Sequence, residues 1–274
     1  ILRLVPEPAG RIVGGKILFQ GEDLLQKSES QMRQYRGSRI SMILQDPLTS
    51  LNPVFTIGDQ VAGPIKYHRR GSDSRNVRDK VVDVLQRVRI PAAEKRLKDY
   101  PHLFSGGMRQ RVVGAMAIAC EPRLLIADEP TTALDVTIEA QFLRLLKQIQ
   151  QESGIALILI THNLGIVARI CRRVAVMYAG RIVESGNVHR IFENPAHPYT
   201  KGLMDSVPRL GEKKQRLVAI PGQPPDMSTL PPGCSFWPRC EYTQEICRQE
   251  YPPETRVGED GYVRCWLAKE QKQT

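Results

Sequence analysis

A chain of 274 residues, 41% hydrophobic and 25% charged, has a globular composition and room for one large α/β domain with an appendage, or for two modest domains. Its longest apolar runs, such as 155–160, fall far short of the ~20 residues of a membrane-spanning helix, so a membrane role would have to pass through a partner. The net charge of +10 would suit nucleic acid or an anionic membrane surface, but Lys and Arg are scattered rather than massed, which favours an ordinary solvated surface.

The start, ILRLVPEPAG, lacks the basic region and apolar core of a signal peptide, and Ile1 in first place predicts that the sequence begins inside a longer gene product. Residues 11–20, RIVGGKILFQ, read as extended structure with a turn at Gly21. ISMILQ (40–45) reads as a short strand ending at Gln45, followed by the loop QDPLTSLNP. Over 77–90 the spacing puts Val77, Val81, Val84, Leu85 and Val88 on one helix face. A helix rich in small residues is expected over 105–120, opening Ser-Gly-Gly. LLIAD (124–128) and ALILITH (156–162) are continuous apolar runs, the pattern of strands covered on both faces. Between them, 136–151 reads as a helix with Ile138, Phe142, Leu145, Leu146 and Ile149 inward. Strand, helix, strand predicts a parallel sheet with a right-handed crossover. Residues 174–184 read as a hairpin turning at Tyr178, Ala179 and Gly180. Beyond about residue 192 prolines become frequent and long apolar periodicity disappears, so a domain boundary is expected near 190–200.

Chemistry concentrates between residues 45 and 162. LLIADEP is an apolar strand that delivers Asp128 and Glu129 at its C-terminal end, where ligands of open α/β sheets bind. Asp128 suits Mg²⁺, which takes one or two carboxylates alongside phosphate oxygens. Glu129 suits the orientation and deprotonation of an attacking water. Ser105, Gly106 and Gly107 precede a helix, so backbone N–H groups there could meet a phosphate; the plainer reading is a Ser N-cap with a glycine pair. His162 ends a strand where an imidazole could bond a terminal phosphate, and Gln45 ends another where its amide could reach Mg²⁺ and the water. Singly, each could be a solvated strand end or a satisfied polar group.

In this order and spacing the motifs resemble the ATP-binding-cassette ATPases. SGGMRQR looks like the family signature, LLIADEP like its Walker B strand, TTALD like the D-loop, His162 like the switch histidine and Gln45 like the Q-loop glutamine. Met108 stands where many members have Gln, which marks a subgroup, because the Ser and both glycines remain. The resemblance implies an α/β fold of P-loop NTPase type over 1–192, with a mainly parallel sheet, a side antiparallel sheet and a helical subdomain at about 59–120. It implies ATP and Mg²⁺, with Asp128 and Gln45 at the metal, Glu129 and His162 catalytic, and Ser105, Gly106, Gly107 and Asp135 at nucleotide. Two such chains would pair head to tail, each signature facing its partner's ATP. Closure on ATP and opening after hydrolysis would drive two transmembrane permease subunits from the cytoplasmic face, with a permease helix received in the groove behind Gln45.

The family also requires a phosphate loop, G-x-x-x-x-G-K-[ST]. Residues 10–17, GRIVGGKI, come close, but Ile17 replaces the hydroxyl residue and 12–19 reads as strand with no helix starting at Lys16. The near match is rejected. By resemblance, ILRLVP ends the phosphate-loop helix and the loop lies upstream of Ile1, so the chain as given would bind ATP poorly alone yet could present 105–107 to a partner's nucleotide.

Four of the six cysteines, Cys234, Cys240, Cys247 and Cys265, fall in the last 41 residues, separated by five, six and seventeen others. No C-x-x-C pair of the zinc-ribbon kind is present, but four thiolates can hold a [4Fe–4S] cluster or Zn²⁺; incidental thiols are the plainer reading. Cys120 and Cys171 lie in helical stretches and read as core. HPYTKGLMDSVP, LVAIPGQPPD and GCSFWPRC resemble the C-terminal extension of dipeptide and oligopeptide importer ATPases, here 193–274. In such relatives the extension is implied to help pair the ATPase chains and, in some, to hold an iron–sulfur cluster. Subgroup resemblance suggests a paralogue as the second ATPase chain and an extracytoplasmic solute-binding protein as an indirect partner. Peptide, nickel and glutathione remain open as solutes. Two alternatives stand beside this reading: an ABC-type ATPase acting on nucleic acid, against which no long coiled coil or second cassette is seen, and a metal-binding or redox module fused to a degenerate ATPase.

Overall fold

The computed structural model describes residues 1–6, 8–45, 50–68, 73–132, 134–206 and 219–270. These form two units, Ile1–His162 and Asn163–Thr274; the proline-rich change of texture near 190–200 lies within the second. The expected loop at 46–49, Ala133 of TTALD, and parts of the HPY and LVAIP segments lie outside the described residues.

In the first unit β3 (Ile40–Ile43), β4 (Leu124–Asp128) and β5 (Ala156–Ile160) form a parallel sheet in that order. The central strand is covered on both faces, as its unbroken apolar run requires. Leu125 and Ala127 face a core built with Val112, Phe142, Leu145 and Ile149, while Ile126 faces a second cluster with Leu24, Met32, Tyr35 and Ile40. The same expectation fails for β5. Leu157 and Leu159 pack on the core, but Ile158 and Ile160, on the opposite face of the strand, are 38% and 47% exposed, because that face of β5 is left uncovered by the described residues.

The helices follow their side-chain spacing. Ahead of the sheet lie a short hairpin of β1 (Leu18–Phe19) and β2 (Glu22–Asp23), then α1 (Glu29–Tyr35) with a capping box from Ser28 and Gln31. The extended reading of 11–20 narrows to β1, because a strand pairs only as far as its partner reaches and β2 gives way to a 3-10 turn at Leu24. Residues 1–6 are not helical: Arg3 has φ +53°, incompatible with a right-handed turn, although Leu2 is buried. No helix begins at Lys16, in keeping with rejection of the near-match loop. Three helices pack as a group: α2 (Ile57–His68), α3 (Ser74–Arg87) and α4 (Gly106–Ile118). α3 buries Val77, Val81, Val84 and Leu85, and Val88 follows at its cap, as the spacing requires. The crossover from β4 to β5 is α5 (Val136–Ser153), closed by Gly154 at φ +65°.

The second unit runs α6 (Leu164–Ile170), β6 (Arg173–Tyr178), β7 (Arg181–Asn187), α7 (Val188–Glu193), α8 (Pro198–Asp205), then α9 (Glu245–Gln249), β8 (Thr255–Val257), β9 (Gly261–Val263) and α10 (Trp266–Glu270). The hairpin turns where expected: Ala179 and Gly180 have φ +45° and +75°, the left-handed pair of a two-residue turn. The tail strands extend this hairpin into an antiparallel sheet ordered β6-β7-β9-β8. Buried Glu184 of β7 ties down the chain before α8: its carboxylate accepts Arg190 Nη1 at 2.8 Å and the N–H groups of Ala196 and His197 at 2.8 and 3.0 Å. Among the described residues no helix is long and apolar enough to cross a membrane.

Candidate functional site

The parallel sheet brings two distant residues onto one carboxylate. Asp128 closes β4 in register with Ile160 of β5, and the next residue turns sharply: Glu129 has φ +42°, rarely adopted by a non-glycine residue. Its N–H still bonds the Ile160 carbonyl at 2.9 Å, and the Thr132 hydroxyl donates to its carbonyl at 3.1 Å. This turn places the carboxylate between two neighbouring strand ends. Gln45 Nε2, two residues past β3, donates to Glu129 Oε2 at 2.9 Å, and His162 Nδ1, two residues past β5, lies 3.0 Å from Oε1. An ionised carboxylate only accepts, so His162 Nδ1 carries the proton of that bond. The Thr132 hydroxyl also reaches Oε2, at 3.1 Å.

These bonds, from His162 first, then Thr132 and more weakly Gln45, hold the Glu129 carboxyl below its ordinary range against the opposing effect of burial. Oε2 already accepts from Gln45 and Thr132, whereas Oε1 accepts from His162 alone and keeps a lone pair, so an oriented base is ready for a water. Asp128 lies beside it, and the Gln45 amide oxygen makes no hydrogen bond among the described residues; both suit the hard oxygen-ligand chemistry of Mg²⁺. Thr132 was not singled out from sequence, since a hydroxyl three residues past a carboxylate is an ordinary turn residue.

Ser105 caps α4, its Oγ accepting the Met108 N–H at 3.3 Å. The two glycines after it differ. A Cβ on Gly107 would lie 2.6 Å from Cγ2 of Ile138 in α5, so this glycine lets two helices meet; a Cβ on Gly106 would meet nothing within 4 Å. Gly107→Ala is therefore expected to cost about 1–3 kcal/mol of stability by overpacking against a stiff β-branched side chain. Gly106→Ala should leave the melt unchanged to within about 0.5 kcal/mol. Paired urea melts check both. Buried Gln110 in the same helix donates from Nε2 to the carbonyl of Pro130, tying the signature helix to the loop after Glu129. Asp135 caps α5, accepting the N–H groups of Thr137 and Ile138, each at 3.0 Å.

In the second unit the four tail cysteines line one small cavity whose walls are almost wholly apolar side chains and sulfur. The Cys234 N–H donates to the Cys247 carbonyl at 2.8 Å, and a Cβ on Gly233 would lie 2.2 Å from that carbonyl oxygen, so only glycine admits this approach. Burial pushes the thiols of Cys234, Cys240 and Cys265 up, Cys265 to about 11, with neighbouring cysteines adding to it. None of the four is in a disulfide. Among the described residues no three ligating side chains stand ready to hold a metal ion, so the thiols share a cavity without forming a preset cage. The chemistry of the donor set, four soft sulfurs in an apolar pocket, suits a thiophilic metal centre. Cys120 is buried, as expected of core, although it lies past the end of α4; Cys171, also expected in the core, instead caps α6 and is half-buried.

His197, which the sequence reading passed over, lines this cavity as well. Burial lowers its pKa to about 4, opposed in part by the nearby Glu184 carboxylate. The unfolded chain then binds a proton that the folded ring refuses, so stability is full above about pH 6.5 and is lost as pH falls toward 4, by up to about 3 kcal/mol. Urea melts of metal-free protein across that window should show the slope, and His197→Asn should remove it.

Residues 5–132 match the family profile described as ABC transporter, and 183–247 the one described as oligopeptide/dipeptide transporter, C-terminal region. The dipeptide transport ATP-binding protein DppD of Bacillus subtilis is 50% identical, over 97% of this chain and 79% of that protein. The oligopeptide transport ATP-binding protein OppD of the same organism is 49% identical, over 97% and 75%. The OppD of Haemophilus influenzae is 48% identical over 94% and 80%. Among solved structures, cbiO1 from Clostridium perfringens, part of the ABC transporter complex cbiONQ, is 30% identical with a TM-score of 0.59 over 66% of this chain and 69% of that one.

Proposed function

The chain belongs to the ABC transporter ATPase family, and on that premise we propose that it is the subunit that binds and hydrolyses ATP to power a di- or oligopeptide importer. The observation that carries the reading is the ordered carboxylate of Glu129, gripped by Gln45 and His162 at the C-terminal end of a parallel sheet. In this reading Glu129 activates the water, Asp128 and the Gln45 amide oxygen hold Mg²⁺, and His162 reports on the terminal phosphate. With Nδ1–H committed to Glu129, His162 Nε2 can donate to phosphate only when the ring gains a second proton. Ser105, Gly106, Gly107 and Asp135 meet nucleotide across a head-to-tail pair, the second chain being a paralogue. The pair works at the cytoplasmic membrane face with two permease subunits and, through them, a solute-binding protein. The ATPase domain spans 1–192, and the extension from 193 carries the four-cysteine centre, a [4Fe–4S] cluster or Zn²⁺.

The solute class rests on the tail, whose profile match and relatives are those of peptide importers. Co-expression with two permeases, reconstitution in liposomes and addition of a solute-binding protein tests it. Phosphate release stimulated by di- or oligopeptides is expected. Stimulation by nickel or glutathione and not by peptides would overturn the solute assignment, and salt-sensitive stimulation by DNA would overturn the importer. Metal and sulfide analysis after anaerobic purification decides the centre: brown protein with iron and sulfide means the cluster, colourless protein with stoichiometric zinc the alternative.

A further inference from the structure

Beside the cysteines, the cavity holds one deeply buried polar side chain. His197 is 1% exposed, and its Nδ1 accepts the Tyr199 N–H at 3.0 Å, capping α8. A nitrogen that accepts has no hydrogen, so the neutral ring carries its proton on Nε2. That Nε2 is buried without a hydrogen-bond partner among the described residues. A buried unpaired donor is costly and uncommon. The ring is held in place from other sides: the His197 N–H is bonded to Glu184 Oε2, and Phe236 packs with its ring centre 5.9 Å away. The cavity offers this donor little except sulfur. Its other lining side chains are prolines, Phe236, Leu267 and two indoles, and Tyr242 is largely exposed. A protonated thiol is a weak acceptor, whereas an ionised sulfur makes a charge-assisted bond.

Resting on the reading of the four cysteines as a soft-metal site, we propose that His197 is a positioning residue of that site and not a ligand: its Nε2–H donates to a metal-bound cysteine sulfur. Ligation through Nε2 would need the ring proton on Nδ1, where it would oppose the Tyr199 N–H. Loading the site turns the thiols into thiolates and so supplies the acceptor that the metal-free cavity lacks. The coupling is reciprocal, so metal binding also firms the cap of α8.

The test is Co²⁺ titration of the full chain, reduced and purified without oxygen, read by the sulfur-to-cobalt charge-transfer band. His197→Asn keeps an oxygen to cap α8 but has no N–H at the Nε2 position. It is expected to bind Co²⁺ about ten- to a hundred-fold more weakly, with the band moved to lower energy as a sulfur loses its hydrogen bond. A role limited to capping would leave affinity and band where they are in the wild type, and that outcome overturns the inference while the cysteine site stands. A wild-type chain that gives no thiolate band overturns the cysteine reading itself. Nitrogen NMR of the wild type with and without Zn²⁺ needs no variant: an Nε2–H whose resonance moves and whose exchange slows on loading supports the inference, and a proton on Nδ1, or an Nε2–H that the metal leaves unchanged, overturns it.

Discussion

Replacing Glu129 by Gln is expected to lower the kcat of the assembled importer by about 10²–10⁴-fold, the range for loss of a positioned general base, with little change in KM for ATP. The two acceptor bonds explain why so small a change acts so strongly. A carboxylate accepts from Gln45 Nε2 and from His162 Nδ1 at once. An amide offers one acceptor and one donor, so one of those neighbours would face another N–H. The variant thus loses the base and the order of its surroundings together. Stability should barely move, since His162 is 82% exposed and the bonds lie at the surface. Steady-state phosphate release, beside nucleotide binding to the same preparation, separates the effects. Turnover at the wild-type rate would remove Glu129 from the catalytic role. His162→Ala takes away one bond to the carboxylate and should reduce kcat less than Glu129→Gln.

The second large effect is expected far from nucleotide chemistry. Glu184 is 0% exposed, and its carboxylate holds Arg190 and two backbone N–H groups ahead of α8. Glu184→Ala would leave a mostly buried guanidinium uncompensated and two donors unpaired, which costs about 3–5 kcal/mol. Among the described residues the Nε of Arg190 already lacks a partner, so no spare hydrogen bonding absorbs the loss. Urea melts of the single variants Glu184→Ala and Arg190→Met, and of the double variant, isolate the pair. The double variant should be less destabilised than the sum of the singles, because no charge is then stranded. A loss under about 1 kcal/mol for Glu184→Ala would falsify the anchoring role.

The three elements most legible in sequence were those whose signal is local and repeated. β4 is an unbroken apolar run because it is covered on both sides, and α3 and α5 place their valines and leucines at helical spacing. β5 carries the same kind of run but has one exposed face, since burial of a strand face depends on what packs over it rather than on its own residues. α2 went unread because Gly58, Gly63 and Pro64 lie within it, residues that mark breaks unless tertiary packing overrides them. The three-residue strands β8 and β9 are too short to show periodicity; β9 exists by pairing with β7, and β8 by pairing with β9.

The site divides in the same way. Gln45, Ser105, Gly106, Gly107, Asp128, Glu129, Asp135 and His162 could be named from motifs, because each motif is a short run of backbone chemistry at a strand end or a helix start. That Gln45 and His162 grip the same carboxylate could not, for those contacts join positions 84 and 33 residues from Glu129 and arise only when β3, β4 and β5 lie side by side. The cysteines could be counted and their clustering noticed. Their common cavity, and the buried His197 beside them, came from folding alone: the tail has little regular structure to predict, so close approaches such as that of Gly233 to Cys247 place its side chains. Residue types and local spacing carry the chemistry available to this chain. Which groups share one site is decided by non-local pairing, which a linear pattern does not encode.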